Sequence, residues 1–344
     1  MALIFSRIKS APAEGLLLIT TLVTAVYAFN FMFASACYVT GGADGCFSLL
    51  DNGAVLGDDG WGRGAPEFAF NGILMFGIMM SMLLILNEGA KGKWIIMVPT
   101  LIGFVVGTAI LWTMWTENGT SEAPKFVTPL VTLAYGAAYF LLMGEDEVND
   151  GMSDLKFGLG VKDPIAIAGL LFVIATGLFY VFRQIVNPES VVEAVNAGEA
   201  PDGLAAPAVT TIAFSGALLL VYTLWALLVL TQGAEGMWPV AHPPLFAFVT
   251  VTIANYFASV YGPVRDFTEQ NQMDAVAGPM TLLVFLVVYL RLRKEGIEEG
   301  MTFAGEPSDS AGFDVMFTGV VVVVSALYFL CLLYTSPSPR DSNL

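Results

Sequence analysis

The chain has 344 residues, of which 56% are hydrophobic and only 13% are charged. Because a soluble domain carries about 25% charged residues, this composition excludes an ordinary water-soluble globule and indicates a membrane protein in contact with the lipid bilayer. The net charge of −16 excludes the basic surface that binds nucleic acid, so we expect no nucleic-acid partner.

Nine apolar segments, taken in chain order, each approach the ~20 residues that a helix needs to cross the hydrocarbon of a bilayer. Membrane β-strands alternate between apolar and polar residues, whereas these segments are continuously apolar, so we predict an all-α polytopic membrane protein. The predicted transmembrane helices are approximately residues 15–37, 67–87, 94–115, 125–144, 164–186, 208–231, 241–262, 276–292 and 314–334.

Lysine and arginine are concentrated in the N-terminal segment and the even-numbered loops, which predicts a cytoplasmic N-terminus. This orientation places Cys37 and Cys46 in one external loop, where the two thiols can form a disulfide. It also places Asn118, the acceptor of an Asn-Gly-Thr sequon, outside as a candidate glycosylation site. The first segment resembles a secretory signal peptide, but its apolar run exceeds the usual core of about 7–15 residues, so we expect it to be retained.

The strongest pattern in the sequence is an internal repeat. A shift of 144 residues without gaps superimposes residues 69–108 on residues 213–252, with about 15 of the 40 positions identical. The matched positions include the turn Gly-Ala-x-Gly-x-Trp at 89–94 and 233–238, which hydrophobicity alone does not place twice. Allowing a short insertion, the match continues through the fourth helix of each half, so we predict tandem four-helix repeats.

An even number of helices returns the chain to the side where it began, so the two repeats are predicted to be parallel, related by an axis along the membrane normal. Residues 1–150 form repeat unit 1, and residues 151–300 form repeat unit 2. Residues 301–334 provide the first helix of a truncated third unit. The tail, residues 335–344, resembles a translated sequencing adapter and is expected to be non-native; the alternative is a short disordered tail.

Polar residues inside the predicted helices are the candidate functional residues, because burying them costs free energy unless they are hydrogen-bonded. Asn71 and Ser215 occupy the same repeat position, Thr108 matches Thr252, and Asn255 adds an amide to the seventh helix. One interpretation is that these residues hydrogen-bond between helices. The other is that equivalent positions of the two units line a polar pathway.

The preferred functional hypothesis is a passive transporter or channel-like protein for a small solute, with these five polar residues as its lining. The alternative is a non-catalytic structural protein that organises membrane or binds partners. We expect no enzymatic activity, no cofactor and no metal site, because the sequence contains no nucleotide-binding loop, catalytic set or metal-ligand spacing. His242, the sole histidine, is expected near a membrane interface, where pH sensing is a less favoured role than packing. Partners beyond lipid would be a second copy or a membrane complex, and the ligand is not specified by the sequence.

Overall fold

The computed structural model describes residues 7–33, 65–114, 123–195, 205–245, 247–249 and 269–299. Within these ranges the regular structure is entirely helical, and six helices are long and apolar enough to cross a membrane. The fold of this part of the chain is therefore that of a multi-pass α-helical membrane protein. The predicted third unit (301–334), which contains the ninth helix at 314–334, and the tail (335–344) lie outside the described residues.

Eight α-helices are defined from end to end in the described residues, and seven of them overlap predicted hydrophobic segments. Residues 238–245 and 247–249 are also helical, at the start of the predicted seventh segment. The helices are α1 (Ala11–Phe33), α2 (Ala65–Glu88), α3 (Trp94–Met114), α4 (Ala123–Leu142), α5 (Pro164–Val186), α6 (Pro188–Val195), α7 (Ala205–Gln232) and α8 (Glu269–Leu292). The short helix α6 was not predicted.

Helix α5 shows how local sequence sets a helix boundary. Its N-cap is Asp163, whose carboxylate accepts hydrogen bonds from the backbone N–H groups of Ile165 and Ala166. Pro164 follows at the first helical position, where the missing N–H is not needed by the helix. The helix ends at Val186, and Asn187 closes it by donating its backbone N–H to the carbonyl of Arg183.

Helices α2 and α7 form the centre of the bundle. Helix α1 packs against α2 and α4, while α5 packs against α7 and α8. Helix α7 also packs against α2 and α3, which joins the two groups of helices. The apolar segments of α2 and α7 are 78% and 72% buried, compared with 28% for both α4 and α5. Helices α4 and α5 therefore present wide apolar faces to the lipid.

The turn between α2 and α3 is held by the segment that follows α4. Gly89 and Gly92 have φ of 90° and 68°, a left-handed conformation that favours glycine. The backbone N–H of Gly92 donates to the carbonyl of Glu147, and that of Trp94 donates to the carbonyl of Val148. The two segments therefore lie at the same end of the bundle.

The turn after α7 has the same geometry. Gly233 and Gly236 have φ of 105° and 69°. The backbone N–H of Gly236 donates to the carbonyl of Gly296, and that of Trp238 donates to the carbonyl of Ile297. Gly236 and Trp238 lie 144 residues after Gly92 and Trp94, and Gly296 and Ile297 lie 149 residues after Glu147 and Val148.

The segments after α4 and after α8 each supply a carboxylate that binds backbone N–H groups. The first binds the chain just before α1, and the second binds it just before α5. Asp146 accepts hydrogen bonds from the backbone N–H groups of Lys9 and Ser10, at 2.7 and 3.0 Å. Glu295 accepts from the backbone N–H groups of Lys162 and Asp163, at 3.0 and 2.5 Å. Both halves thus use one acidic side chain to close the same end of the bundle.

Candidate functional site

Asn71 lies on α2 where this helix meets α7, and only 1% of the residue is exposed. Its amide nitrogen donates a hydrogen bond of 3.0 Å to the carbonyl of Thr211 on α7. A buried amide needs partners for both its nitrogen and its oxygen. The oxygen receives its partner from the predicted counterpart of Asn71.

Ser215 is that counterpart, and it is fully buried on α7. Its hydroxyl lies 2.9 Å from the amide oxygen of Asn71 and 3.1 Å from the carbonyl of Thr211 on its own helix. A hydroxyl has one proton, so these two acceptors compete for it. Asn71, Ser215 and the Thr211 carbonyl thus form a closed polar contact, which we name the α2–α7 polar contact.

Thr108 takes part in a different helix contact. Its hydroxyl lies 2.9 Å from that of Thr132, which joins α3 to α4. Thr132 also bonds backward to the carbonyl of Thr128 and across to that of Phe104. The structure therefore brings together Asn71 and Ser215 but pairs Thr108 with a residue that was not predicted.

Three glycines let helices approach closely beside the α2–α7 polar contact, and sequence reasoning missed them. A Cβ atom at Gly103 would overlap Val221, and at Gly107 it would lie 2.7 Å from the Phe214 ring. Gly103 and Gly107 are four residues apart, the spacing of small residues typical of packed membrane helices, so a signal was present.

The third glycine, Gly77 on α2, faces Tyr222 on α7. The Tyr222 hydroxyl is buried and donates a hydrogen bond of 2.7 Å to the carbonyl of Leu74 on α2. The Tyr222 ring packs edge-on against Trp225, with ring centroids 5.2 Å apart. Tyr222 thus contributes both a hydrogen bond and an aromatic ring to the interface between α2 and α7.

Charged residues form ion pairs at the end of the bundle that carries the two turns. The Arg291 guanidinium lies 2.5 Å from the Asp163 carboxylate, and together with the N-cap hydrogen bonds it lowers the pKa of Asp163. The exposed Lys91 ammonium lies 2.8 Å from the Glu147 carboxylate and lowers the pKa of that carboxyl. These ion pairs fasten loops rather than line a passage between helices.

The remaining predicted residues cannot be placed in this geometry. The disulfide candidates, the glycosylation candidate and two of the pathway candidates lie outside the described residues: Cys37, Cys46, Asn118, Thr252 and Asn255. Among the residues that the structure does describe, no group of histidine, cysteine, aspartate and glutamate side chains could hold a metal ion.

The α2–α7 polar contact is therefore the best-defined candidate site, and its chemistry is that of hydrogen bonding between helices. Neither of its side chains carries a charge, and both are shielded from solvent. No protein-family model, curated protein or solved structure shows significant similarity to the chain.

Proposed function

We propose that the chain is a non-catalytic, structural membrane protein in which two parallel four-helix units lock together through the α2–α7 polar contact. The observation that carries this proposal is the hydrogen bond between Asn71 and Ser215, two positions that the repeat makes equivalent. A polar group that is buried and bonded to its own counterpart fastens helices together and is shielded from solvent. The unit so formed would organise membrane or bind partners.

The proposed duplication is supported by matching details in the two halves. Glu147 has an unusual positive φ of 50°, and its counterpart Gly296 has φ of 79°. Gly72 on α2 approaches the backbone of Met32 on α1, and its counterpart Gly216 on α7 approaches Ile185 on α5. Unrelated helical segments have no reason to share left-handed positions, turn hydrogen bonds and glycine contacts at a common spacing.

The proposed orientation remains that of a cytoplasmic N-terminus. The support for it is that the segments rich in lysine and arginine belong to one end of the bundle. The backbone of Lys9 is bonded to the segment after α4, and the turn at Lys91 is bonded to that same segment. An excess of basic residues at one end is typical of the cytoplasmic side.

The transport hypothesis competes with the structural one. Of its five lining residues, the three described ones all bond to neighbouring helices: Asn71, Ser215 and Thr108. A pathway would require their polar atoms to face an open cleft, so the geometry favours the structural function. The other two lining residues, Thr252 and Asn255, lie outside the described residues, so transport has to be tested by measurement.

The two functions are separated by flux measurements on the full chain in proteoliposomes. Light scattering after an osmotic step reports the permeability to water, glycerol and urea, and a trapped dye reports monovalent cations. The structural function predicts the permeability of protein-free liposomes for every solute. Flux above that level, lost in N71L/S215L but kept in the control T231A, would refute it and establish a pathway at the contact. Thr231 bonds only within its own helix, donating to the carbonyls of Leu227 and Leu228 and accepting from the amide of Gln232.

A further inference from the structure

The linker between the two halves exposes two large apolar side chains at the end of the bundle that carries the turns. Phe157 is 100% exposed and Leu159 is 61% exposed. Both belong to the segment 155–162, which has the sequence Leu-Lys-Phe-Gly-Leu-Gly-Val-Lys. Contact of such side chains with water is unfavourable, and the proposed structural function makes no use of them.

Hydrogen bonds on both sides of this exposed pair fix it to the end of α7. Before the pair, the backbone N–H of Lys156 donates to the side-chain oxygen of Gln232 at 3.1 Å, and the Gln232 amide donates back to the Lys156 carbonyl at 3.2 Å. After the pair, the backbone N–H of Gly160 donates to the carbonyl of Leu230 at 2.9 Å. Phe157 and Leu159 therefore lie on a short loop that is fastened at both ends.

Gly160 allows this loop to lie directly on the backbone of the turn after α7. A Cβ atom at residue 160 would overlap the backbone nitrogen of Gly233 and would lie 2.6 Å from the carbonyl oxygen of Thr231. The next side chain, Val161, is buried. The position of the exposed pair is therefore set by close packing against α7 and its turn.

The loop lies at the depth where α7 leaves the membrane. Leu230 is in the last turn of this membrane-spanning helix, which ends at Gln232. Leu227, three residues earlier on α7, is 40% exposed, so the exposed apolar surface of the helix reaches to within one turn of the bonds that hold the loop. The end of a membrane-spanning helix marks the boundary between acyl chains and headgroups, where aromatic side chains are enriched.

We propose that Phe157 and Leu159 form an interfacial anchor, which inserts into the lipid leaflet at this end of the bundle. Apolar side chains gain free energy at the boundary between headgroups and acyl chains. Lys156 and Lys162 are exposed on either side of the anchor, and their aliphatic stems can lie along lipid while the ammonium groups reach phosphates. The anchor requires a bilayer around the helices but does not depend on the α2–α7 polar contact.

The partner of the anchor is phospholipid in general, because the loop lacks a strong basic charge. Asp154 is two residues before Lys156, and Glu295 accepts a hydrogen bond from the backbone N–H of Lys162. Selection of anionic lipid requires a cluster of about four or more basic residues. The two apolar side chains therefore provide the attraction, and zwitterionic phosphatidylcholine is sufficient.

Electron paramagnetic resonance can measure the depth of the loop on the full chain in phosphatidylcholine nanodiscs. A nitroxide label at G158C lies between the two native anchor side chains, and a Cβ atom at Gly158 meets no other atom within 4 Å. A label at S153C, an exposed position of the same linker, provides the matched control. The native thiols are removed by C37S, C46S and C331S, and circular dichroism verifies that the helices are retained.

The label at residue 158 should collide more with membrane-dissolved oxygen than with an aqueous nickel complex, and the label at 153 should show the reverse. F157D/L159D should shift the label at 158 to the pattern found at 153. Replacing part of the phosphatidylcholine by phosphatidylglycerol should leave both labels unchanged. Greater collision with nickel than with oxygen at residue 158, or insertion only with phosphatidylglycerol, would overturn the proposal. Shielding from both probes would also overturn it, because a protein partner would then cover the loop.

A second measurement leaves the native cysteines in place. The fluorescence that F157W adds to the wild-type signal should be quenched by lipids with brominated acyl chains. The fluorescence that S153W adds should be quenched by aqueous iodide instead. Equal quenching of the two added tryptophans by iodide would contradict insertion of the anchor, even if the cysteine-free chain does not fold.

Discussion

The α2–α7 polar contact predicts a measurable coupling between Asn71 and Ser215. In S215A, the amide oxygen of Asn71 loses the hydroxyl that donates to it at 2.9 Å and stays buried. A buried acceptor left unsatisfied costs about 1–3 kcal/mol, and the low end applies in a membrane, where alternative partners exist in the unfolded state. We expect S215A to lower the free energy of unfolding by about 1–2 kcal/mol.

The variant N71A removes two hydrogen bonds but leaves fewer buried polar groups without a partner than S215A does. It deletes both the 3.0 Å bond to the Thr211 carbonyl and the acceptor of Ser215. Ser215 keeps a partner, since its hydroxyl can turn to the Thr211 carbonyl at 3.1 Å. The double variant N71A/S215A therefore costs less than the sum of the two single variants. The coupling should be about 0.5–1.5 kcal/mol, in the range of hydrogen bonds measured between membrane helices.

Reversible unfolding in mixed detergent micelles, followed by circular dichroism, gives the four free energies of this cycle. The control cycle pairs N71A with T231A, because Thr231 bonds within α7 and not to Asn71. The control pair should be additive within about 0.3–0.5 kcal/mol. A coupling between Asn71 and Ser215 no larger than the control value would refute the reasoning.

A swap of the two side chains extends the same prediction to the proposed symmetry. If the positions are equivalent about an axis between α2 and α7, then N71S/S215N rebuilds the hydrogen bond with the donor on α2 and the acceptor on α7. The exchanged amide would donate to the carbonyl of residue 67, the counterpart of Thr211. We expect the swap to recover most of the stability lost in N71S alone. A swap that is no more stable than the sum of its single variants would show that the contact is not symmetric.

Three further predictions follow from other contacts. G103L should lower the free energy of unfolding by about 1–3 kcal/mol or prevent folding, because its side chain would overlap Val221; unfolding in detergent measures this. D163N should remove a contribution that Asp163 makes when ionised beside Arg291. Since the pKa of Asp163 is lowered, the wild type's advantage in thermal unfolding should be constant at neutral pH and shrink as the pH falls below the ordinary value of 3.8. K91M should leave the melting temperature unchanged, because the Lys91 ion pair is exposed.

Each of these predictions has a contrary outcome. G103A should be tolerated less well than an alanine at the open position Gly15, and equal effects would mean that α3 and α7 do not pack closely. A wild-type advantage over D163N that grows on acidification would reverse the sign assigned to the Arg291 pair. A clear loss of stability in K91M would mean that the pair is shielded from solvent.

The transmembrane helices were predictable because hydrocarbon imposes a single requirement on them, a continuous apolar run long enough to span it. The predicted α3 and α5 agree with the observed Trp94–Met114 and Pro164–Val186 almost to the residue. Helix α6 was missed because it is short and amphipathic, and its stability depends on packing against α7. Mean hydropathy over a membrane-length window does not detect such a helix.

The candidate site was only partly predictable, for a physical reason. The repeat alignment singled out Asn71 and Ser215 as equivalent, but an alignment does not say whether equivalent residues face each other, a cavity or separate neighbours. The partners Thr211, Thr132 and Leu74 contribute backbone or hydroxyl groups that no motif distinguishes. These contacts depend on how helices turn about their axes, which requires the packed structure.

Symmetry alone explains matched polar residues in a duplicated membrane protein, without reference to a transport function. In two parallel units related by an axis along the membrane normal, a position near that axis lies next to its own copy. A polar residue there finds a partner whenever its copy is also polar, so packing alone accounts for such a pair. Under the proposed duplication, Asn71 and Ser215 meet this condition, because they bond to each other and are shielded from solvent. Such a contact involves two units only, because a position on a two-fold axis is shared by two units and no more. Any additional unit would have to pack on the outer faces of the bundle, where α4 and α5 now meet lipid.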